Sequence, residues 1–351
     1  MKGIVIKSTG SWYTVRLANG EKVNARIKGK FRLKGIKSTN PIAVGDVVFL
    51  KKEADETAVI LAIDERKNYI VRKSVNLSKR SHIIAANVDQ AILIVTLSQP
   101  KTYTAFIDRF LVSAEAYHIP TTIIFNKIDL YTSEEKMELA FLKHSYEKIG
   151  YTCLEVSATE KTNIQSVIDI MKDKVSVVAG HSGVGKTTLL NTIEPRLNLK
   201  TSAISEMHQQ GKHTTTFAEM FVLHFGGFII DTPGIKAFGL IDFKKEELSH
   251  YFIEMRALLK NCHFKNCVHK NEPKCAIKEA LQKDEISAFR YHNYLSIYED
   301  DEEEGDERSG GVVSEDGGDT EGREEEEKEK ERKKEKGEGR GEEGKEKEKE
   351  E

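Results

Sequence analysis

Residues 180–188 read GHSGVGKTT and match the pattern G-x-x-x-x-G-K-[ST] without a mismatch. The apolar run before them, 175–179, predicts a buried strand, and residues 189–193 continue as a helix. A glycine-rich turn between a strand and a helix presents backbone N–H groups and a helix N-terminus to a phosphate. The stretch therefore predicts a phosphate-binding loop in an α/β domain, formed by Gly180, His181, Ser182, Gly183, Val184, Gly185, Lys186, Thr187 and Thr188.

Two side chains of this loop carry the expected chemistry. Lys186 can reach the β and γ phosphates, and the Thr187 hydroxyl can ligate Mg²⁺. A D-x-x-G sequence, residues 231–234, ends a further apolar run. There Asp231 is expected to hold Mg²⁺ through water, and the Gly234 N–H to meet the γ-phosphate.

A second motif, residues 126–129, reads NKID and follows the apolar run 121–125. A carboxylate at Asp129 can accept hydrogen bonds from the ring N–H and the exocyclic amine of guanine, a pair that adenine lacks. By itself N-K-x-D is a short pattern that also occurs in helix caps and turns, so an ATP-dependent enzyme remains the alternative. The candidate base-binding residues are Asn126, Lys127, Ile128, Asp129, Ser157 and Ala158.

The first 70 residues contain five short β-branched or aromatic runs separated by turns such as Asn19-Gly20. Five short strands in so small a segment predict a closed barrel, with an OB-fold as the best fit. One interpretation is an RNA-binding surface on which Trp12 and Phe31 stack with bases. The other is an ordinary solvated face with those aromatics in the core. The basic residues of this segment are Arg26, Lys28, Lys30, Arg32, Lys34 and Lys37.

The formal net charge of −3 hides two opposite parts. Residues 299–351 carry 26 acidic and 12 basic residues, whereas residues 1–298 carry 31 acidic and 42 basic ones. The basic body favours a polyanionic partner, nucleic acid above all. The tail has almost no apolar residues and is predicted to be disordered.

Three thiols and an imidazole lie within fourteen residues near position 270. Such a Cys₃His set is typical of a closed structural zinc site, although free thiols are an alternative and His263 is a competing imidazole. The flanking segments 244–259 and 276–298 predict helices. No signal peptide or apolar run of about 18 residues is present, so a cytoplasmic protein with reduced thiols and no membrane span is expected. The candidate ligands are Cys262, Cys267, His269 and Cys275.

The nucleotide motifs occur in a circularly permuted order, because N-K-x-D precedes the phosphate loop and D-x-x-G comes last. This order, the preceding barrel, the following cysteine cluster and the sequences at 84–89 (IAANVD) and 211–216 (GKHTTT) resemble the RsgA (YjeQ/YloQ) family. The resemblance implies a GTPase that acts in late assembly of the small (30S) ribosomal subunit and binds its 16S-type rRNA and ribosomal proteins. It also implies one zinc ion on the Cys₃His set rather than on His263, and a Mg²⁺ ligand at Thr215.

The position that often holds a water-orienting Gln in small GTPases is Ile235, as in the permuted family. His213 is a candidate to orient the attacking water, with a structural or RNA-contacting role as the alternative. A monomer that converts GTP to GDP is expected, and an RNA-binding module with GTP as a static ligand is the rival. The predicted domains are an OB-fold RNA-binding domain (1–70), a permuted GTPase domain (71–245), a zinc-binding domain (246–298) and a charged tail (299–351).

Overall fold

The computed structural model describes residues 1–27, 41–53, 57–72, 82–199, 218–231 and 245–299. Its first five strands all contribute residues to one apolar core, and the second and third alternate between buried and more exposed residues. They pair in the order β1-β2-β3-β5-β4, and β1 also pairs with β4, so the sheet closes into a barrel. The strands are β1 (Lys2–Ser8), β2 (Trp12–Leu17), β3 (Lys22–Ile27), β4 (Val47–Lys52) and β5 (Ala58–Ile63).

The barrel confirms the predicted N-terminal fold, and its interior is apolar. Val5, Val15, Ala25 and Val48 are fully buried there. Trp12, by contrast, is 44 % exposed, so it is not a core residue. Phe31 and the basic residues between 28 and 37 lie outside the described residues.

Gly45 is expected to be the least replaceable glycine of the barrel. Its φ is +91°, and an added Cβ would lie 2.0 Å from the carbonyl oxygen of Ala86. Gly45→Ala should lower the free energy of unfolding by about 1–3 kcal/mol for the clash, in addition to about 1–2 kcal/mol for the left-handed backbone. Gly10→Ala is the matched control, because Gly10 has a φ of +86° and open space around it. Equal losses for the two variants in urea titrations would contradict this reading.

An asparagine and an aspartate join the barrel to the central sheet. Asn87 donates from Nδ2 to the Gly45 carbonyl at 3.0 Å, and its Oδ1 accepts from the Lys67 backbone N–H at 3.0 Å. The Asp89 carboxylate accepts from the Val175 N–H at 2.7 Å. These bonds fix the barrel relative to the strand that leads into the phosphate loop. The short sheet between the two parts consists of β6 (Tyr69–Arg72) and β7 (His82–Ala86).

The central sheet has the order β10-β9-β8-β11-β13-β12, with the first five strands parallel and β12 antiparallel. Strands β8 and β9 are buried along their whole length, as expected for a sheet covered on both faces. Its strands are β8 (Gln90–Val95), β9 (Thr121–Phe125), β10 (Thr152–Glu155), β11 (Val175–Ala179), β12 (Glu219–Val222) and β13 (Phe228–Asp231). Its helices are α1 (Thr104–Ala116), α2 (Ser133–Lys148), α3 (Ile164–Met171) and α4 (Lys186–Ile193).

Strand order explains how a permuted sequence gives an ordinary nucleotide-binding sheet. The strand before N-K-x-D, β9, comes earlier in the chain than the phosphate-loop strand β11, yet both flank β8. Because the five strands are parallel, their carboxyl ends lie at one edge, where ligands of such sheets bind. The prediction of a permuted α/β domain is confirmed.

The C-terminal part is helical, but the predicted boundaries were wrong in two places. Segment 244–259 is a 3₁₀ helix (Lys245–Tyr251) and a short helix α5 (Ile253–Arg256), not one helix. Segment 276–298 is divided into α6 (Ala276–Gln282) and α7 (Ala288–Glu299). The division follows from Asp284, whose φ of +55° ends a helix, with the next N–H returning to the carbonyl of Ala280.

None of the helices in the described part of the chain combines the length and the apolar character needed to cross a bilayer. The predicted disordered tail, 299–351, lies outside the described residues apart from Glu299, the last residue of α7.

Candidate functional site

The phosphate loop follows β11, and three of its glycines have positive φ angles: +144° at Gly180, +85° at Gly183 and +91° at Gly185. An added Cβ would lie 2.2 Å from the Ile94 carbonyl oxygen at Gly180 and 2.4 Å from Asn126 Nδ2 at Gly185. Glycine is therefore required at both positions for backbone shape and for close packing. The loop ends where helix α4 begins, at Lys186.

Lys186 points back into the loop that precedes it. Its Nζ donates to the carbonyls of Gly180 at 2.8 Å and His181 at 2.5 Å. Burial lowers the pKa of this ammonium to about 8, so a phosphate placed here would restore the charge that burial disfavours. Thr187 is buried and follows Lys186 in the first turn of α4.

A single side-chain amide links the three predicted nucleotide-binding segments. Asn126 is fully buried; its Nδ2 donates to the Val184 carbonyl at 2.9 Å, and its Oδ1 accepts from the Ala158 N–H at 3.2 Å. Residues 126, 158 and 184 belong to N-K-x-D, the Ser-Ala loop and the phosphate loop. The structure therefore brings together segments that the sequence separates by up to 58 residues.

The remaining residues of the base-binding segments lie around this amide. Lys127 has a φ of +62°, and its ammonium donates to the Gln99 carbonyl. Asp129 is exposed on the single 3₁₀ turn Ile128–Leu130. Ser157 is buried and accepts from the Glu160 N–H at 3.0 Å, which fixes the turn that presents Ala158.

Tyr131 supports the base-binding segment, and sequence reasoning did not identify it. Its hydroxyl donates to the Asn126 carbonyl at 2.7 Å and accepts from the Leu97 N–H at 3.0 Å. It therefore ties the end of β9 to the segment after β8. No local motif indicates this role, because its partners are up to 34 residues away.

The magnesium side of the site is described only in part. Strand β13 ends at Asp231, next to β11, so the D-x-x-G segment begins at the same sheet edge as the phosphate loop. The Asp231 side chain, His213, Thr215 and Gly234 lie outside the described residues. Their predicted roles stay predictions.

The C-terminal cluster unites all four candidate metal ligands. One ligand atom from each of Cys262, Cys267, His269 and Cys275 lies within 4.8 Å of the others, and His263 is not a member. Nδ1 of His269 lies 3.7 Å from the sulfur of Cys262 and 3.4 Å from that of Cys275. Ordinary Zn–N and Zn–S bonds at tetrahedral angles give an N–S separation of about 3.6 Å. The donor set can therefore bind a metal ion.

Burial raises the pKa of Cys267 to about 12 and also raises the pKa of Cys275. A buried thiolate needs a compensating cation, which a metal ion would supply. His269 lies in the same buried cluster and is 1 % exposed. The cluster is chemically suited to a structural ion enclosed by protein.

Cys267→Ser should release the metal. Serine removes a buried thiolate ligand, so stoichiometric metal in the purified protein should fall to a small fraction of the wild-type content. Elemental analysis by mass spectrometry measures this directly. Cys153→Ser is the control, because Cys153 is buried in strand β10 outside the cluster. Retained stoichiometric metal in Cys267→Ser would refute this ligand set.

Fold and site together define a circularly permuted P-loop GTPase preceded by a five-stranded OB-type barrel. The family model described as RsgA GTPase matches residues 63–241, and that of the RsgA N-terminal domain matches residues 2–60. The chain belongs to the RsgA GTPase family and is a GTP-hydrolysing enzyme.

Similar proteins cover most of the chain. "Small ribosomal subunit biogenesis GTPase RsgA" of Flavobacterium psychrophilum is 58 % identical over 306 residues, covering 86 % of this chain and 94 % of the relative. The Bacteroides fragilis relative with the same name is 52 % identical over 303 residues, covering 86 % and 98 %.

Two solved structures are also similar. YjeQ from Thermotoga maritima has a TM-score of 0.70 at 36 % identity and covers 85 % of this chain and 96 % of its own. YloQ, described as a circularly permuted GTPase, has a TM-score of 0.67 at 31 % identity, covering 85 % and 93 %.

Proposed function

We propose that this protein acts in biogenesis of the small ribosomal subunit, binding the subunit and hydrolysing GTP to GDP and phosphate as it does so. The observation that carries the proposal is the junction at Asn126, which joins the guanine-type motif to the phosphate loop in a chain 58 % identical to a GTPase of that name. We further propose domain boundaries near residues 70, 245 and 298, and a monomer located in the cytoplasm.

Each motif residue has a separate task in the proposed site. Asp129 selects guanine, Asn126 fixes the surrounding loops, and Lys127 holds its segment against the Gln99 carbonyl. Ser157 and Ala158 border the base. Lys186 and the loop N–H groups stabilise charge on the β and γ phosphates. Thr187, Thr215 and Asp231 would hold Mg²⁺, which neutralises phosphate charge when bound. Water attacks the γ-phosphorus and the bond to the β-phosphate oxygen breaks, which gives GDP and inorganic phosphate.

No Gln follows the D-x-x-G sequence to orient the attacking water, because residue 235 is Ile. We propose His213 for that task and expect slow turnover by the isolated protein. The ion held by Cys262, Cys267, His269 and Cys275 is proposed to be zinc, on the basis of its sulfur and nitrogen donors.

The barrel offers a face suited to single-stranded rRNA. Trp12 is exposed, and the Arg26 guanidinium lies 5.9 Å from the centroid of its ring. Lys7, Thr14 and Asn24 line a cleft beside Trp12. An exposed aromatic ring between basic and polar side chains is the arrangement on which bases stack.

Trp12→Ala should weaken binding to small ribosomal subunits about 5- to 150-fold, since one base stacked on an aromatic ring contributes about 1–3 kcal/mol. Turnover without subunits should stay at the wild-type rate. Phe49→Ala is the matched control, because Phe49 is 40 % exposed on strand β4 of the same barrel, outside this cleft. Wild-type affinity of Trp12→Ala in filter-binding assays would remove Trp12 from the rRNA surface.

The function is tested by measuring GTP turnover with and without purified small subunits, together with co-sedimentation under GTP, GDP and a non-hydrolysable analogue. The proposal predicts stimulated turnover and stronger co-sedimentation with the analogue than with GDP. Absence of both effects would favour an RNA-binding module that holds GTP as a static ligand. ATP competing with labelled GTP at similar concentration would instead favour an ATP-dependent enzyme.

A further inference from the structure

Helix α1 contacts the phosphate loop through one aromatic side chain. The ring of Phe106 lies against the imidazole of His181, with 3.7 Å between ring centroids and 33° between planes. His181 is the second residue of the loop, and its carbonyl accepts from Lys186. Phe106 therefore supports the backbone that also holds the catalytic lysine.

Two residues after Phe106, side chains from the C-terminal part of the chain hold the same helix through Asp108. Asp108 is fully buried, and its carboxylate accepts from Arg290 Nη1 at 2.6 Å, Asn293 Nδ2 at 2.6 Å and the Tyr146 hydroxyl at 2.8 Å. Arg290 is also buried and donates to Glu254 from Nε at 2.7 Å. Charged groups at this depth keep their positions only when their partners do, because an unpaired buried charge is costly.

Helix α7, which supplies Arg290 and Asn293, also holds the metal-ligand loop. The Tyr291 hydroxyl donates to the His269 carbonyl at 2.6 Å, and the Tyr294 hydroxyl donates to the Val268 carbonyl at 2.7 Å. Described contacts thus run without interruption from the metal-ligand loop through α7 and α1 to the phosphate loop.

We propose that Phe106 is a positioning residue for the phosphate loop. We further propose that the C-terminal part of the chain, residues 245–299, sets nucleotide affinity through the clamp, that is, the bonds of Asp108 to Arg290 and Asn293. Loss of the clamp shifts the first turns of α1, and with them the ring beneath His181. The loop amides and Lys186 then no longer converge on the phosphates. The inference rests on the nucleotide site proposed above and is independent of ribosome binding.

The first test is Asp108→Asn, which keeps the side-chain shape and leaves Arg290 paired with Glu254. We expect GDP to bind about fivefold or more weakly, the lower range of coupling between sites, at unchanged metal content. Asn293→Ala is the milder second variant, with a smaller change in the same direction. Arg256→Met is the control, because Arg256 pairs with Glu115 near the far end of α1, and the Arg256 side chain is 49 % exposed.

Phe106 itself is tested by a double-mutant cycle. Phe106→Leu should weaken GDP binding, whereas Phe106→Tyr keeps the ring and should bind GDP with wild-type affinity. Adding Asp108→Asn to Phe106→Leu should have little further effect. Additive effects in the cycle, or wild-type GDP affinity in both Asp108→Asn and Asn293→Ala, would overturn the proposal. Failure of the wild-type protein to bind GDP would instead refute the nucleotide site on which it rests.

Discussion

Asp129→Asn is expected to lower the affinity for GTP by at least about a hundredfold, because a site built to pair with substrate N–H groups discriminates strongly when that pairing is lost. In the proposed site, the wild-type carboxylate accepts from two donors on the guanine edge. An amide replaces one acceptor with a donor, so it matches xanthine, which has a ring N–H beside a carbonyl. The variant should therefore bind xanthosine triphosphate more tightly than GTP.

Competition titrations against a fluorescent guanine nucleotide measure both affinities. Asp169→Asn is the matched control, because Asp169 is exposed on α3 and accepts from Gln165 one turn away. It should leave the preference for GTP unchanged. Unaltered GTP affinity in Asp129→Asn would show that this carboxylate does not read the base.

Lys186→Ala is expected to reduce GTP turnover by about a hundred- to a thousandfold, the usual effect of removing one preorganised charge-stabilising group. The ammonium lies within the phosphate loop, where it donates to the carbonyls of Gly180 and His181, and in the proposed site it stabilises phosphate charge. Single-turnover hydrolysis, with the enzyme in saturating excess over GTP, measures the chemical step. Lys172→Ala provides the control, since Lys172 is exposed after α3 and should not affect turnover.

The loss in Lys186→Ala should occur without unfolding. Burial already disfavours the charged form of this lysine, which lowers its pKa to about 8. Removing it therefore leaves no buried partner charge behind, and the melting temperature should stay close to that of the wild type. Wild-type turnover in the variant would exclude the proposed role of Lys186.

The sequence predicted the features that short motifs encode. The glycine spacing of residues 180–188 predicted a phosphate-binding loop, because glycines allow the backbone to turn its N–H groups towards a phosphate. The structure shows positive φ angles at all three glycines of the loop. The barrel was predicted from five short β-branched or aromatic runs separated by turns within the first 70 residues, because so many short strands in so small a segment favour a closed sheet.

Features that depend on distant partners could not be predicted in this way. Asp108 appears as an ordinary polar residue on a helix, yet it pairs with Arg290, 182 residues later. Phe106 fits the apolar pattern of α1 equally well whether or not it meets His181. The split of segment 276–298 was missed because it depends on the left-handed backbone conformation of Asp284, whose φ of +55° a non-glycine residue does not signal in the sequence.

The central claim is that residues 126–129 and 180–188 enclose one nucleotide despite their permuted order. A crystal structure of the protein with GDP tests it most directly. The claim predicts the Asp129 carboxylate within hydrogen-bond distance of the guanine ring N–H and amine while Lys186 contacts the β-phosphate of the same molecule. A β-phosphate bound at Lys186 with the base directed away from Asp129 would contradict it.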